Sequence, residues 1–232
     1  MALCYLGPVH TQILAPDFQC VVNDTLFWEP ATNNCGPFVS YDIYFSADEA
    51  GPYTLLNSIT DPTETFFFHS DANNQIWYYY LTSNYNCPGE TQLSSDTLDN
   101  LIPIAGPLEY VSVLGGGVEI SWGASPSPET IGYVISRNTD QGTTVLDTVY
   151  DTTIYLDLTA EPELQSEVYF VVALDACGNK SLVPPPHQTI LLDFMPPDAC
   201  NPGLVLNWTA YQNWANGVGG YDIFVGADGE TP

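Results

Sequence analysis

Hydrophobic and polar residues alternate along this chain in short runs, the period-two pattern of strands that bury one face. In the first half the runs are Asp24 to Trp28, Val39 to Phe45, Tyr53 to Leu56, Thr63 to Phe68, Ile76 to Thr82 and Thr91 to Leu98. Turn-forming clusters separate them: Asn33-Asn34-Cys35-Gly36-Pro37, Ala50-Gly51-Pro52, Asp71 to Asn74 and Cys87-Pro88-Gly89. In the second half the runs are Leu108 to Leu114, Val118 to Trp122, Ile131 to Ser136, Val145 to Tyr150, Thr152 to Leu158, Val168 to Leu174 and Thr189 to Leu192. Gly115-Gly116-Gly117 is the turn between the first two of these. Nowhere does an apolar pattern of period ~3.6 persist for about ten residues, so the pattern predicts no helix.

The runs repeat. A strand ending in tryptophan precedes a tyrosine-led strand three times: Trp28 with Tyr41, Trp122 with Tyr133, and Trp208 with Tyr221. Successive tryptophans are 94 and 86 residues apart, and successive tyrosines 92 and 88. That period is too long for a solenoid unit and suits a small β domain with its own core. The expected organisation is two complete modules, 15–102 and 103–193, followed by the start of a third at 194–232. Residues 1–14 read as the tail of a preceding module, because Ala2-Leu3-Cys4 followed by His10 to Leu14 resembles Ala173 to Cys177 followed by His187 to Leu191. Proline-marked joints, Leu101 to Pro107 and Phe194 to Asp198, separate the modules.

Charge narrows the partners. Of 232 residues, 28 are acidic and only Arg137 and Lys180 are cationic, giving a net charge of −26. Nucleic acid is excluded, since its affinity comes from phosphates neutralised by Lys and Arg. Anionic membrane surfaces are excluded by the same sign argument. The chain is 45% hydrophobic, which separates this acidity from that of a disordered segment.

Six cysteines are present: Cys4, Cys20, Cys35, Cys87, Cys177 and Cys200. None forms a C-x-x-C pair and the histidines do not cluster with them, so no zinc site is expected. An even number in an aromatic-rich β protein points to an oxidising compartment, outside the cell or on its surface. No run of about 18 apolar residues could form a membrane-spanning helix.

With these motifs in register, the chain resembles tandem fibronectin type III repeats. The resemblance rests on the second-strand tryptophans, the Tyr-led third strands, and sixth strands Tyr79-Tyr80-Leu81-Thr82-Ser83 and Tyr169-Phe170-Val171-Val172-Ala173. It implies an all-β fold of seven-stranded antiparallel sandwiches. Trp28, Trp122 and Trp208 become core anchors, and Tyr79 and Tyr169 make a structural contact through their hydroxyls. The run Ala173 to Asn179, then His187 to Leu192, then Asp198-Ala199-Cys200 ahead of Leu206 to Trp214, is similar to repeats of large secreted proteins of gliding bacteria that leave by type IX secretion. Module 1 departs from it with Asn86-Cys87-Pro88-Gly89.

In a sandwich of this kind, the loops carrying Cys35 and Cys87 emerge at the same end. The fold therefore implies a Cys35–Cys87 disulfide. The other four cysteines remain open. Pairing Cys4 with Cys20 and Cys177 with Cys200 would leave none free, but the late loop sits at the far end of its module from the next first strand.

Chemistry is sparse. His10 and His187 occupy the same repeat position, His69 ends a strand, and no Ser or Cys stands with a His and an acid as nucleophilic catalysis requires. Paired carboxylates occur by chance in so acidic a chain, with no cleft-forming scaffold. Asp48-Glu49 and Asp228-Gly229-Glu230 fall at equivalent positions and are oxygen-rich, but Thr139 to Gly142 makes a plain hairpin there in module 2. No catalytic, cofactor-binding or metal-ligating residue is assigned. The aromatic runs Phe66 to Phe68 and Trp77 to Tyr80 are denser than a core needs: with Tyr79 and Leu81 facing in, Tyr78 and Tyr80 face out.

The expected function is a non-catalytic spacer and interaction array, adhesive, on a secreted or cell-surface bacterial protein. Its partners would be a protein or glycan surface and other repeats of the same chain. The alternative is an accessory region of an extracellular hydrolase that contacts carbohydrate.

Overall fold

In a computed structural model describing residues 12–70, 72, 75–197 and 203–224, the alternating runs form β-strands, and the described residues contain no helix. They divide into two units. One holds the residues up to Ile104 with Pro126–Ile131 and Leu174–Ser181. The other holds Ala105–Ser125, Gly132–Ala173 and the residues from Leu182 on.

The first sandwich is built from β1 (Gln12–Ile13), β2 (Asp17–Val22), β3 (Thr25–Glu29), β4 (Phe38–Ser46), β5 (Thr54–Ile59), β6 (Phe66–Phe68), β7 (Tyr78–Tyr85), β8 (Thr91–Gln92) and β9 (Leu98–Asp99). A three-stranded sheet, β2-β3-β6, packs on a four-stranded one, β5-β4-β7-β9. Phe18, Leu26 and Trp28 from the first sheet meet Tyr41, Ile43, Tyr79 and Leu81 from the second. Each such side chain contributes about 1.5–3 kcal/mol by leaving water. β2 and β3 are joined by a hairpin whose turn residues, Asn23 and Asp24, both have positive φ, as a two-residue turn between right-twisted strands requires.

The second sandwich repeats the plan with β10 (Leu108–Leu114), β11 (Gly117–Trp122), β12 (Thr130–Thr139), β13 (Gly142–Val149), β14 (Ile154–Asp157), β15 (Val168–Asp175) and β16 (His187–Gln188). Its sheets are β10-β11-β14 and β13-β12-β15-β16. Gly115 and Gly116 take the positive φ values that Asn23 and Asp24 take in the first. Even the irregularities recur. The register shifts between Phe18 and Cys20 and between Leu108 and Tyr110, and again between Ile43 and Tyr44 and between Ile135 and Ser136. A third pair, β17 (Leu192–Met195) and β18 (Val205–Trp208), follows.

Three strand expectations need correction. β2 was not expected; its bulge buries Phe18, Cys20 and Val21 together and so breaks the alternation that would reveal it. The run from Thr91 to Leu98 is two short strands, β8 and β9. The run from Thr189 to Leu192 is not one strand. His187–Gln188 pairs with β15, and Leu192–Met195, whose Phe194 and Met195 read as the start of a joint in sequence, pairs with β18. Cys4, His10, Cys200 and Asp228 to Glu230 lie outside the described residues.

Candidate functional site

Trp28 and Trp122 are 2% and 1% exposed, each with its indole edge-on to the following tyrosine, Tyr41 or Tyr133, at 5.8 and 5.4 Å. Trp208 keeps the same geometry with Tyr221, at 5.6 Å, but is 40% exposed. Among the described residues its sheet has two strands.

Tyr79 and Tyr169 are fully buried. Tyr79 shares a 2.8 Å hydrogen bond with His69 Nδ1, and Tyr169 donates one of 3.0 Å to Asp157 Oδ2. Burial first, then the nearby carboxylates Asp24 and Asp157 respectively, push both phenols far up. Neither is a candidate acid at neutral pH.

The buried ionisable groups are each committed to the fold. Asp157 accepts hydrogen bonds from Arg137, Tyr169 and both donors of Thr159. Glu167 accepts from the Glu161 backbone and Gln165. Asp175 accepts from the backbones of Cys177 and Asn179 and from the Asn179 side chain. His187 pairs with the Tyr211 hydroxyl at 2.9 Å. Asp48 is a turn residue, its carboxylate receiving the Ala50 N–H. No group of three or more candidate metal ligands occurs among the described residues.

Two disulfides lie in the first unit. Cys35 and Cys87 are bonded with their Cα atoms 5.6 Å apart. Cys20 is bonded to Cys177, not to Cys4, and Cys177 is therefore not available to Cys200; their Cα atoms are 6.2 Å apart. The spacing argument failed because it weighed partners only between adjacent late loops and first strands. The Leu174–Ser181 segment belongs to the same unit as Cys20.

The aromatic excess is on an outer face. On β7, Tyr79 and Leu81 point into the core while Tyr78 and Tyr80 are half-exposed on the other side of the four-stranded sheet. Tyr44 on β4 lies opposite Tyr80, and their rings stack at 4.8 Å with an interplanar angle of 13°. Tyr53 meets Tyr80 edge-on at 4.9 Å and donates its hydroxyl to the Glu49 carbonyl at 2.9 Å. Burial raises the Tyr53 phenol against a hydrogen bond with Thr97, and Glu49, Tyr78 and Asp48 raise it further. Asp42 sits two residues before Tyr44, and Asp99 pairs with Tyr78 across β7 and β9. Leu55, 53% exposed, extends the apolar surface beside Tyr44. Sequence reasoning found Tyr78 and Tyr80 but missed Tyr44 and Tyr53. Tyr44 was findable from the alternation of Tyr41, Ile43 and Phe45, which leaves it facing out.

The second unit has a groove of about 720 Å³ lined by Tyr110, Tyr211, Trp214 and Tyr221 with Glu119 and Asp222. Its polar atoms are largely occupied: Tyr110 donates to Glu119, Trp214 to the Glu109 carbonyl, and Tyr221 receives the Tyr211 N–H.

No family model matches the chain, and no curated protein matches it. Among solved structures it is similar to the FN1–FN3 domains of chicken CNTN1, at 14% identity and a TM-score of 0.44, over 78% of this chain and 66% of that one. It thus spans a little less than two thirds of that structure. It is also similar to a two-domain fibronectin type III segment of chicken tenascin, at 14% identity and a TM-score of 0.33, over 75% and 97% of the two chains. A third is the chicken interferon gamma receptor alpha chain, at 10% identity and a TM-score of 0.33, over 76% and 97%. The fold assignment stands on the strand order and the repeated core described above.

Proposed function

We infer that this chain is a non-catalytic spacer and interaction array of a secreted or cell-surface bacterial protein, and that it is adhesive. One observation carries the reading. The buried ionisable side chains Asp157, Glu167, Asp175, His69 and His187 hold fold contacts, while the surplus aromatic rings occupy an outer sheet face. Catalysis needs a poised group beside a space for substrate; adhesion needs exposed anchors on a rigid scaffold. Two disulfides and a surface dominated by carboxylates support an oxidising exterior setting. The likeness of the Ala173 to Asn179 and Asp198 to Trp214 runs to repeats of gliding-bacteria proteins supports export by type IX secretion.

The second reading, an accessory region that contacts carbohydrate, is favoured by the same tyrosines, since aromatic faces also stack on sugars. The test is retention of beads coated with the full chain over surfaces of cationic, neutral-glycan and anionic character under flow. Retention on at least one non-anionic surface is expected, along with no turnover of nitrophenyl esters, glycosides or phosphates. Beads that roll freely over every surface would reduce the chain to a spacer.

A further inference from the structure

We propose that the tyrosine face of the first sandwich, centred on Tyr44, Tyr53 and Tyr80 and flanked by Asp42 and Asp99, docks a cationic protein segment through its arginine or lysine side chains. This rests on the interaction-array reading and names the chemistry of its partner.

Three observations lead there. The rings form one continuous patch, because Tyr80 stacks on Tyr44 and meets Tyr53 edge-on. Such a patch offers flat electron-rich surfaces on strands held by neighbouring strands, so little order is lost on binding. Next, carboxylates border it: Asp42 and Asp99 on the strands, with Asp48 and Glu49 close enough to Tyr53 to perturb its hydroxyl. A guanidinium lying on a tyrosine ring gains from the ring quadrupole and from a carboxylate at its edge together. Finally, the chain is poor in cations of its own. Arg137 is engaged by Asp157 and Glu167, and these are the only ion pairs among the described residues. Lys180 is the one other cation in a chain with 28 acidic residues. Charge complementarity then selects a basic partner: an anionic one is repelled, and a neutral one leaves the charge of the flanking carboxylates, which accept neutral donors such as the Ser40 hydroxyl and the Leu101 N–H, uncompensated.

The experiment titrates the full chain with a capped peptide alternating glycine and arginine, and with the same peptide carrying citrulline, which keeps the shape and removes the charge. The arginine peptide is expected to bind. The citrulline peptide should bind at least about tenfold more weakly. Tyr44→Leu/Tyr80→Leu, which keeps the charge and an apolar side chain at both positions but removes the rings, should weaken arginine-peptide binding about tenfold. Asp140→Asn/Glu163→Gln, which removes two exposed carboxylates of the second unit and leaves the rings intact, should weaken it less than about twofold, as expected where only screened net charge changes.

Binding that the tyrosine pair leaves unchanged while the carboxylate pair weakens it would mean that the peptide senses only net charge, and would overturn the proposal. Ring-dependent binding of a neutral oligosaccharide with no arginine-peptide binding would also overturn it, in favour of a glycan. Should the tyrosine variant fold poorly, ring resonances of the wild-type chain decide. Tyr44, Tyr53 and Tyr80 must shift with the arginine peptide, and stationary signals would end the proposal. Bead retention that survives the tyrosine substitutions would leave the adhesive reading standing without this site.

Discussion

The same corner of the sandwich is filled in two chemically opposite ways. In the first sandwich Phe45, His69 and Trp77 cluster around Tyr79, with Phe45 5.0 Å from Trp77 and 5.5 Å from His69 between ring centroids. In the second, the residues at those positions are Arg137, Asp157 and Glu167, around Tyr169. Two of the three sit at the same offset: Phe45 and Arg137 four residues after the third-strand tyrosine, Trp77 and Glu167 two before the buried one, while His69 and Asp157 precede that tyrosine by 10 and 12 residues. Arg137 Nη1 lies 2.8 Å from Asp157 Oδ2, and its Nε 3.7 Å from Glu167 Oε2. The invariant part is the tyrosine hydroxyl and a partner at the end of the strand before it. The fold specifies a buried polar partner there and leaves open whether packing or charge surrounds it. The difference has a cost, because charges taken from water must be fully paired. Cross-linking also differs: both disulfides lie in the first unit, and none is described in the second.

Reduction should therefore break the first unit and spare the second, the largest effect expected. The Cys35–Cys87 bridge closes a separation of 52 residues, and the chain-entropy relation assigns such a loop about 4 kcal/mol. Hydrogen exchange with and without reductant provides the check. Amides of β4 and β7 should lose protection while those of β11 and the centre of β15 keep theirs. Matching losses in both sets would mean that the two units unfold together.

The converse perturbation targets charge. Arg137→Met leaves Asp157 and Glu167 buried without their cation and should destabilise the second unit by about 3–5 kcal/mol in denaturant titration. The triple change Arg137→Phe/Asp157→His/Glu167→Trp imports the first corner and should recover most of the loss. Acid should act in the same direction. Burial alone would raise the Asp157 carboxyl, but Thr159, Tyr169 and Arg137 outweigh it and hold it below the usual range. A depressed carboxylate contributes stability above its unfolded value of about 4. That contribution is lost as pH falls through the folded value, because the unfolded chain takes the proton more readily. An Arg137→Met chain as stable as the wild type would show that the ionic corner is only tolerated.

The two hydroxyls sharpen the contrast. Tyr79→Phe removes a bond to an imidazole, and Tyr169→Phe one to a carboxylate. Neutral hydrogen bonds contribute about 1 kcal/mol and those to charged groups about 2. Tyr169→Phe should therefore cost roughly twice as much, read from paired denaturation curves. Equal costs would show that the Asp157 charge is carried by Arg137 and Thr159 without the phenol.

Much of this was legible in sequence, for a physical reason. Trp28 and Trp122 end runs whose inward positions recur at period two, but Tyr79 and Tyr169 stand in near-continuous apolar runs, and their structural role was implied by the resemblance to tandem repeats. β2 was not legible because a bulge at Phe18 to Cys20 puts consecutive residues inside. The Cys20–Cys177 bridge escaped because its separation of 157 residues is a tertiary fact with no local pattern. The ionic corner left a faint mark. Arg137 is one of two cations in the chain, and its place at an inward position of a core strand could have flagged a buried pair.

The smallest expected effect concerns a second substitution between the repeats. Opposite the buried tyrosine, β9 presents Leu98 to Tyr79 and β16 presents His187 to Tyr169. His187 is buried, and its Nδ1 meets the Tyr211 hydroxyl, which itself receives the Val111 N–H at 2.8 Å. The Tyr211 hydroxyl can donate to Nδ1 when the ring is neutral. Burial lowers its proton affinity, opposed by a hydrogen bond to the Asn213 backbone. A histidine whose folded value is depressed contributes stability that is present above its unfolded value of about 6.5. It is lost as pH falls through the folded value. The melting temperature of the wild type should therefore drop between about pH 7.5 and 5. His187→Leu, which copies the first sandwich, should show a shallower drop even if its absolute stability falls, because Tyr211 loses its acceptor. Subtracting the two slopes removes the contributions of His10, His69 and the carboxylates common to both chains. Superimposable slopes would mean that His187 binds its proton equally well folded and unfolded, and the two repeats would then differ in packing alone at this position.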